Sequence, residues 1–91
     1  MGNASGLKAL QVLANAEHVL AIELLAGTQA IEFLAPLEPG PGVRATHDAV
    51  RRLSERLRDD RSLSEDIARV AGAVRDGSIL AAAELEVGEL L

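Results

Sequence analysis

Two adjacent pairs of carboxylates are the residues whose spacing most suggests chemistry. Neighbouring carboxyl groups can divide the roles of general acid and general base between them. The pairs are Asp59-Asp60 and Glu65-Asp66, which fall in a polar stretch and at the predicted start of a helix. Because acidic groups at a helix N-terminus complement the helix dipole, we expect a structural role for these side chains. We expect no catalytic residue in the chain.

The two histidines do not predict a metal site. His18 and His47 fall on different predicted helices, and no third ligand is apparent beside them. A catalytic zinc site uses three protein ligands, so we expect no metal ion and place His18 on a helix surface. The chain has no cysteine, which excludes disulfides and thiolate metal sites. The N-terminus lacks a signal pattern, so we expect a cytoplasmic protein in which the Asn3-Ala4-Ser5 sequon stays unmodified.

The charge balance argues against a nucleic-acid or membrane partner. Lys and Arg number 9 against 14 Asp and Glu, a net charge of −5, whereas nucleic-acid binding needs a concentrated basic surface. The most apolar stretch, residues 19–34, is broken by Glu23 and Glu32, which argues against a spanning helix. One basic cluster is interleaved with acids and predicts a solvated, salt-bridged helix face. Its members are Arg51, Arg52, Arg56, Arg58 and Arg61.

Composition and periodicity predict an all-α fold, with a long bundle helix followed by two or three short helices. Hydrophobic residues make up 48% of the chain, with Phe33 the only aromatic, and helix formers dominate. Residues 1–34 contain no proline and form the predicted bundle helix. Residues 35–42 are a Pro/Gly linker, residues 43–77 a helical pair and residues 78–91 a helical tail, all in a single domain.

The shorter helices carry their own start, stop and face signals. Ser62 and Glu65 are spaced as a capping box, with Ser64 as the alternative N-cap. Gly77 is expected to end the third helix in the left-handed conformation. The second helix is predicted over 43–57. The residues expected to share one face are Val43, Val50, Leu53 and Leu57 on the second helix, and Ile67, Val70, Ala71 and Val74 on the third.

The first helix is too long and too apolar for its own chain to cover. About 30 residues at 1.5 Å rise give a rod of roughly 45 Å, whereas a compact chain of this length has a diameter of roughly 30 Å. From Val19 onward the helix is apolar nearly all round, which indicates surrounding protein. We expect the exceptions, Glu23, Gln29 and Glu32, to form hydrogen bonds that fix helix register. The alternative is that one of them supports a neighbouring active site.

The stretch His18-Val-Leu-Ala-Ile-Glu-Leu-Leu-Ala-Gly-Thr-Gln-Ala-Ile-Glu-Phe33 resembles the long C-terminal bundle helix of the histidine ammonia-lyase family. Further blocks recur in the order and at the spacing of that family, so that the resemblance covers roughly residues 1–77. These blocks are Pro36-Leu37, Pro39-Gly40-Pro41-Gly42, Ala49-Val50-Arg51, Asp59-Asp60-Arg61 and Leu63-Ser64-Glu65-Asp66-Ile67.

The resemblance implies a mostly helical homotetramer that eliminates ammonia from histidine to give urocanate. It also implies a methylidene-imidazolone electrophile, formed from an internal Ala-Ser-Gly triplet, and a tyrosine base. Ala4-Ser5-Gly6 matches the triplet, but the precursor in the family lies far upstream in a rigid loop, so we interpret this copy as a coincidence. The chain contains no tyrosine. We therefore expect no cofactor in this chain and place the ring in an upstream portion.

The favoured hypothesis is a C-terminal fragment or split chain of such a lyase, inactive alone. It would contact copies of itself or the catalytic core through its first helix, and a charge at Leu24 or Leu25 would then disrupt assembly. The alternatives are a free-standing, non-catalytic oligomerisation or interaction module derived from the lyase, and an unrelated helical adaptor.

Overall fold

The computed structural model describes residues 2–54 and 63–89, which form helices without any strand. The elements are α1 (Gly2–Phe33), α2 (Pro41–Leu53), α3 (Ser64–Arg75) and α4 (Ser78–Val87). The prediction of an all-α fold, with a long first helix and short helices after it, is confirmed.

α1 extends well beyond the rest of the molecule. Its 32 residues, at 1.5 Å per residue, make a rod about 48 Å long. The radius of gyration is 15.1 Å and the principal extents are 54 × 37 × 17 Å, whereas a compact chain of this size has a radius of gyration of about 12 Å. The expected overhang is confirmed. α1 ends at Phe33, shortly before Pro36, because proline lacks the amide donor that a further turn needs.

α2 begins two residues earlier than the sequence predicted, at Pro41 rather than Val43. Proline suits the first turn of a helix because its missing N–H has no intrahelical partner there. A Cβ on Gly42 would lie 3.1 Å from Val87 Cγ1, so glycine at this position lets α2 approach α4 closely. The predicted end at Leu57 is also wrong. Ser54 is already extended (φ −144°, ψ 110°), and Leu57 itself lies outside the described residues.

The signals predicted for the two ends of α3 have different outcomes. Leu63 occupies the N-cap position with a helical backbone, and Ser64 is the first helical residue, so the alternative cap at Ser64 is wrong. The capping box at Ser62 lies outside the described residues. At the other end, Gly77 adopts φ +81°, which confirms the left-handed glycine.

The core is small and consists largely of alanine and valine. α1 packs mainly on α3, and α2 mainly on α4. The predicted stripe on α3 is confirmed, but on α2 only part of the predicted face is covered, since Val43 is 49% exposed. Val43 points away because α2 turns its Gly42 side towards α4. The buried cluster contains Ala21, Val50, Val70, Ala71, Ala73 and Ile79, with Leu24, Leu25, Leu53, Ile67 and Val74 packed against it.

Candidate functional site

The two halves of α1 differ in coverage, since buried positions occur only in the second half. Every residue from 4 to 16 is exposed, and the first buried position is Glu17. Leu7, Leu10 and Leu13 are 68%, 65% and 57% exposed. We call residues 4–16 the overhang. A row of uncovered leucines along two to three helical turns is the kind of surface that normally lies against other protein.

One stripe of α1 runs from the overhang into the core. Residues spaced three or four apart share a helix face. Glu17, Ala21 and Thr28 lie on one such face, at intervals of four and seven residues, and are buried at 7%, 0% and 4% exposure. Continued towards the N-terminus, the same spacing leads through position 14 to Leu10 and Leu7. The overhang therefore extends the face that packs on α3 beyond the point where α3 ends. We call this the front stripe.

The opposite side of α1 carries a second apolar stripe. Val12, Val19, Ala26 and Phe33 follow one another at intervals of seven residues, close to two helical turns, and all four are exposed. Phe33, the only aromatic side chain, is 71% exposed. We call this the back stripe. Val19, Ala26 and Phe33 belong to the part of α1 that the sequence predicts to be apolar nearly all round.

The length and composition of α1 also satisfy the minimum for a membrane-spanning helix. Residues Ala4–Phe33 have a mean hydropathy of 1.3 in their most apolar window, of which 11% is buried. Core helices of soluble proteins pass the same test. Glu17 and Glu32 lie on this helix and pair with arginines of other helices, as described next. The helix therefore carries protein-facing charges within its apolar length.

Glu17 forms an ion pair where the overhang meets the core. Its carboxylate is 9% exposed and accepts a hydrogen bond from Arg75 Nε of α3 at 2.9 Å. The arginine stands in the last turn of α3, where a cation also complements the helix dipole. This pair was not predicted, because the two residues are 58 positions apart in the sequence.

Glu32 forms a denser cluster at the other end of α1. Arg51 of α2 donates from Nη2 to Oε1 at 2.7 Å and from Nε to Oε2 at 2.8 Å. His47 Nε2 lies 2.8 Å from Oε2. We call Glu32, His47 and Arg51 the corner cluster. The Arg51 hydrogen bonds are the main reason that the pKa of Glu32 falls from 4.5 to about 2.

A buried carboxylate joins the end of α2 to the start of α3. Asp66 is 2% exposed and accepts a hydrogen bond from Ser54 Oγ at 2.7 Å. Arg69 pairs with the same carboxylate and donates from Nε to the Leu53 carbonyl at 2.7 Å. The expectation that Asp66 merely complements the helix dipole was too narrow, since the side chain anchors a connection between helices. Glu65 is exposed, and Asp59 and Asp60 lie outside the described residues.

The remaining sequence candidates are scattered over the molecule. The expectation of inter-helix hydrogen bonding is confirmed for Glu32, whereas Glu23 is exposed and Gln29 is half-buried. His18 is exposed on α1, and Ala4-Ser5-Gly6 lies exposed in its first turns.

The prediction of a solvated basic face on α2 is wrong at Arg51, because the side chain of Arg51 is only 17% exposed and is turned towards α1. Arg52 is exposed, and Arg56, Arg58 and Arg61 lie outside the described residues.

A mainly apolar cavity of about 200 Å³ opens between α1, α2 and α3. Its polar members are Gln29, Arg51 and Ser54. Arg51 already donates to Glu32 and to the Ser54 carbonyl, and Ser54 donates to Asp66. The charged group of the cavity is thus engaged within the protein. Its apolar lining consists of Ile22, Leu25, Ala26, Leu63 and Ile67.

The fold and this surface define an all-α protein segment whose longest helix is covered by its own chain along half its length. The aromatic amino acid lyase family model matches residues 1–52. The chain belongs to the aromatic amino acid lyase family.

Curated relatives of the chain include histidine ammonia-lyases from several bacteria. The chain is 42% identical over 90 residues to histidine ammonia-lyase of Sorangium cellulosum (strain So ce56). It is 43% identical over 90 residues to histidine ammonia-lyase of Symbiobacterium thermophilum. Each match covers 99% of this chain and 18% of the relative. The chain therefore spans about a fifth of the length of these enzymes. No solved structure matches the chain.

Proposed function

We propose that this chain is the C-terminal helical portion of a histidine ammonia-lyase-like enzyme, to which it contributes assembly surface and no catalytic group. The assembled enzyme would cleave the bond between Cα and nitrogen in histidine, releasing ammonia and leaving urocanate. The observation that carries the proposal is the overhang, with its leucines 57–68% exposed along α1. The match to a fifth of each lyase relative accounts for such a surface, because the other four fifths can cover it.

The catalytic groups that the family uses would come from the rest of the enzyme. The chain has no tyrosine to act as base. Ala4-Ser5-Gly6 does not fit the precursor of the methylidene-imidazolone ring, since the triplet lies in exposed turns of a regular helix. The backbone there is regularly helical, and because all three residues are exposed no packing compresses it towards cyclisation. We place the enzyme in the cytoplasm.

The first test concerns assembly through α1. The front stripe and the back stripe are covered in the proposed assembly, so Leu10→Glu or Val19→Glu should weaken self-association or binding to the catalytic portion at least tenfold, since each buries an unpaired charge. Gln11→Glu is the matched control, because it adds the same charge to the polar side of the same turns. Sedimentation equilibrium measures the association.

The structure changes the choice of test positions. Leu24 and Leu25 were expected to be interface positions, but both pack against the core of their own chain. A charge there would disturb folding and assembly together. Positions in the overhang avoid this ambiguity because residues 4–16 contribute nothing to the described core.

The second test concerns activity. A histidine ammonia-lyase relative, truncated to remove the segment that matches this chain, is co-expressed with the chain, and urocanate is followed by absorbance. We expect activity with both parts and none with either alone. Activity that is absent from the mixture, together with self-association of the chain, would favour the free-standing helical module instead. Activity of the chain alone would contradict our assignment of catalysis to the other portion.

A further inference from the structure

The corner between α1 and α2 places one histidine between two carboxylates. His47 Nε2 lies 2.8 Å from Oε2 of Glu32, and Nδ1 lies 3.0 Å from Oδ1 of Asp48. The side chains of His47 and Glu32 are 21% and 18% exposed, whereas that of Asp48 is 55% exposed. The inner carboxylate belongs to α1 and the ring belongs to α2, so the contact joins two helices.

The protonation state of the ring decides how many of these contacts are attractive. A doubly protonated imidazole donates from both nitrogens, whereas a neutral one donates from a single nitrogen and presents a lone pair at the other. Carboxylate oxygens accept only. After loss of one proton, the lone pair of one ring nitrogen therefore faces a lone pair of a carboxylate oxygen. The hydrogen bond that remains, to Glu32 or to Asp48 according to the tautomer, no longer has a charged donor.

The two carboxylates beside His47 favour its protonated ring, and two arginines lie near the same corner. The Arg51 guanidinium is directed at Glu32 and at the Ser54 carbonyl, and Arg44 pairs with Glu38 at 3.2 Å. Arg44 therefore has a carboxylate partner of its own, whereas Arg51 shares Glu32 with the histidine. The charged groups that face the histidine side of the corner come from α1 (Glu32), the connecting segment (Glu38) and α2 (Arg44, Asp48 and Arg51).

We propose that His47 is a pH-dependent latch between α1 and α2, closed when both ring nitrogens carry a proton and weakened when one proton leaves. The inference depends on the geometry of the corner and not on the proposed function. Arg51 continues to hold Glu32 at high pH, so the corner loosens instead of coming apart.

The direction of the pH effect follows from the raised pKa of His47. The hydrogen bond to Asp48 is the main cause, and burial opposes it while Glu32 adds to it. A folded-state pKa above 6.5 means that the stabilisation is fully present below pH 6.5 and is lost as the pH rises through the folded value.

The test compares two histidine variants of the full 91-residue chain. Thermal unfolding is recorded at pH 6 and pH 8.5, where carboxylates stay ionised. We expect the wild-type melting temperature to fall between the two pH values by about 3 °C more than that of His47→Gln, because glutamine keeps a hydrogen bond that does not titrate. His18→Gln, at the exposed histidine of α1, should behave as wild type.

A direct measurement accompanies the melting curves. The NMR titration of the His47 ring should give a midpoint above 6.5 in wild type and a lower one in Glu32→Gln, where the inter-helix charge is gone. Equal pH dependence in wild type and His47→Gln would overturn the latch. An unshifted His47 midpoint in Glu32→Gln would overturn it as well.

Discussion

The overhang and the second half of α1 have the same helical period and similar aliphatic content, but they differ in where charge is placed. The second half carries Glu17 and Glu32, each paired with an arginine from another helix. Charged groups in the overhang are confined to Lys8. A carboxylate on an apolar helix is tolerated where a partner neutralises it. Ion pairs therefore mark the part of α1 that its own chain covers.

The side chains of the front stripe are smaller in the covered half of α1 than in the overhang. Ala21 and Thr28 of the front stripe are buried, while Leu7 and Leu10 of the same stripe stay exposed. Small residues allow a neighbouring helix to approach closely, and large ones need a deeper partner surface. An isolated helical stretch as short as the overhang is marginally stable in water. The larger side chains of the front stripe are those that its own chain leaves exposed.

The largest expected difference between the two regions comes from placing one charge in each. Val70→Asp should remove cooperative unfolding, because Val70 is 0% exposed and an unpaired buried charge costs more than about 3 kcal/mol. The total free energy of unfolding of a chain of this length is roughly 5–14 kcal/mol. Leu10→Asp in the overhang should change the free energy of unfolding by less than about 1 kcal/mol under monomeric conditions. Urea denaturation followed by circular dichroism compares them, and equal effects would erase the distinction.

The corner cluster should show a smaller effect. Glu32→Gln should lower the free energy of unfolding by about 1–3 kcal/mol, because Arg51 then lacks its ionised partner. The side chain of Arg51 is only 17% exposed, so water replaces that partner poorly. Glu23→Gln, at an exposed position of the same helix, should be close to neutral. Urea midpoints measure both. A neutral Glu32→Gln would mean that the cluster does not hold α1 to α2.

The lowered pKa of Glu32 predicts that acid removes its contribution to stability. Since the pKa of Glu32 is lowered from 4.5 to about 2, its contribution is present above pH 4.5 and is lost as the pH falls towards 2. Urea midpoints of wild type and Glu32→Gln should therefore converge across this range. Curves that remain parallel down to pH 2 would show that the carboxylate is not the group that titrates.

The smallest effect is expected at the turn between α3 and α4. Gly77→Ala should cost about 1 kcal/mol, because φ is +81° there and a Cβ strains this conformation. Gly72→Ala is the matched control. It lies within α3 with open space around a built Cβ, so alanine should be neutral or stabilising by up to about 1 kcal/mol. Thermal unfolding separates the two substitutions, and a tolerated Gly77→Ala would argue against the left-handed turn.

Local signals in the sequence determined the helices and several of their ends. The aliphatic period predicted α1 and the stripe of α3, proline predicted the end of α1, and glycine predicted the left-handed residue 77. These features depend on interactions within a few residues, which a sequence displays directly. The start of α2 was missed because Pro41 was interpreted only as a helix breaker, although the first turn accepts it.

The partners of the charged side chains were decided only by the tertiary structure. Glu32 finds Arg51 19 residues away, and Glu17 finds Arg75 58 residues away. No periodicity links positions so far apart, because the crossing of the helices sets which side chains meet. The sequence determined that α1 is long and apolar on nearly every side. The packing of α3 decided which side is covered, since a helix face is buried only where another element lies against it.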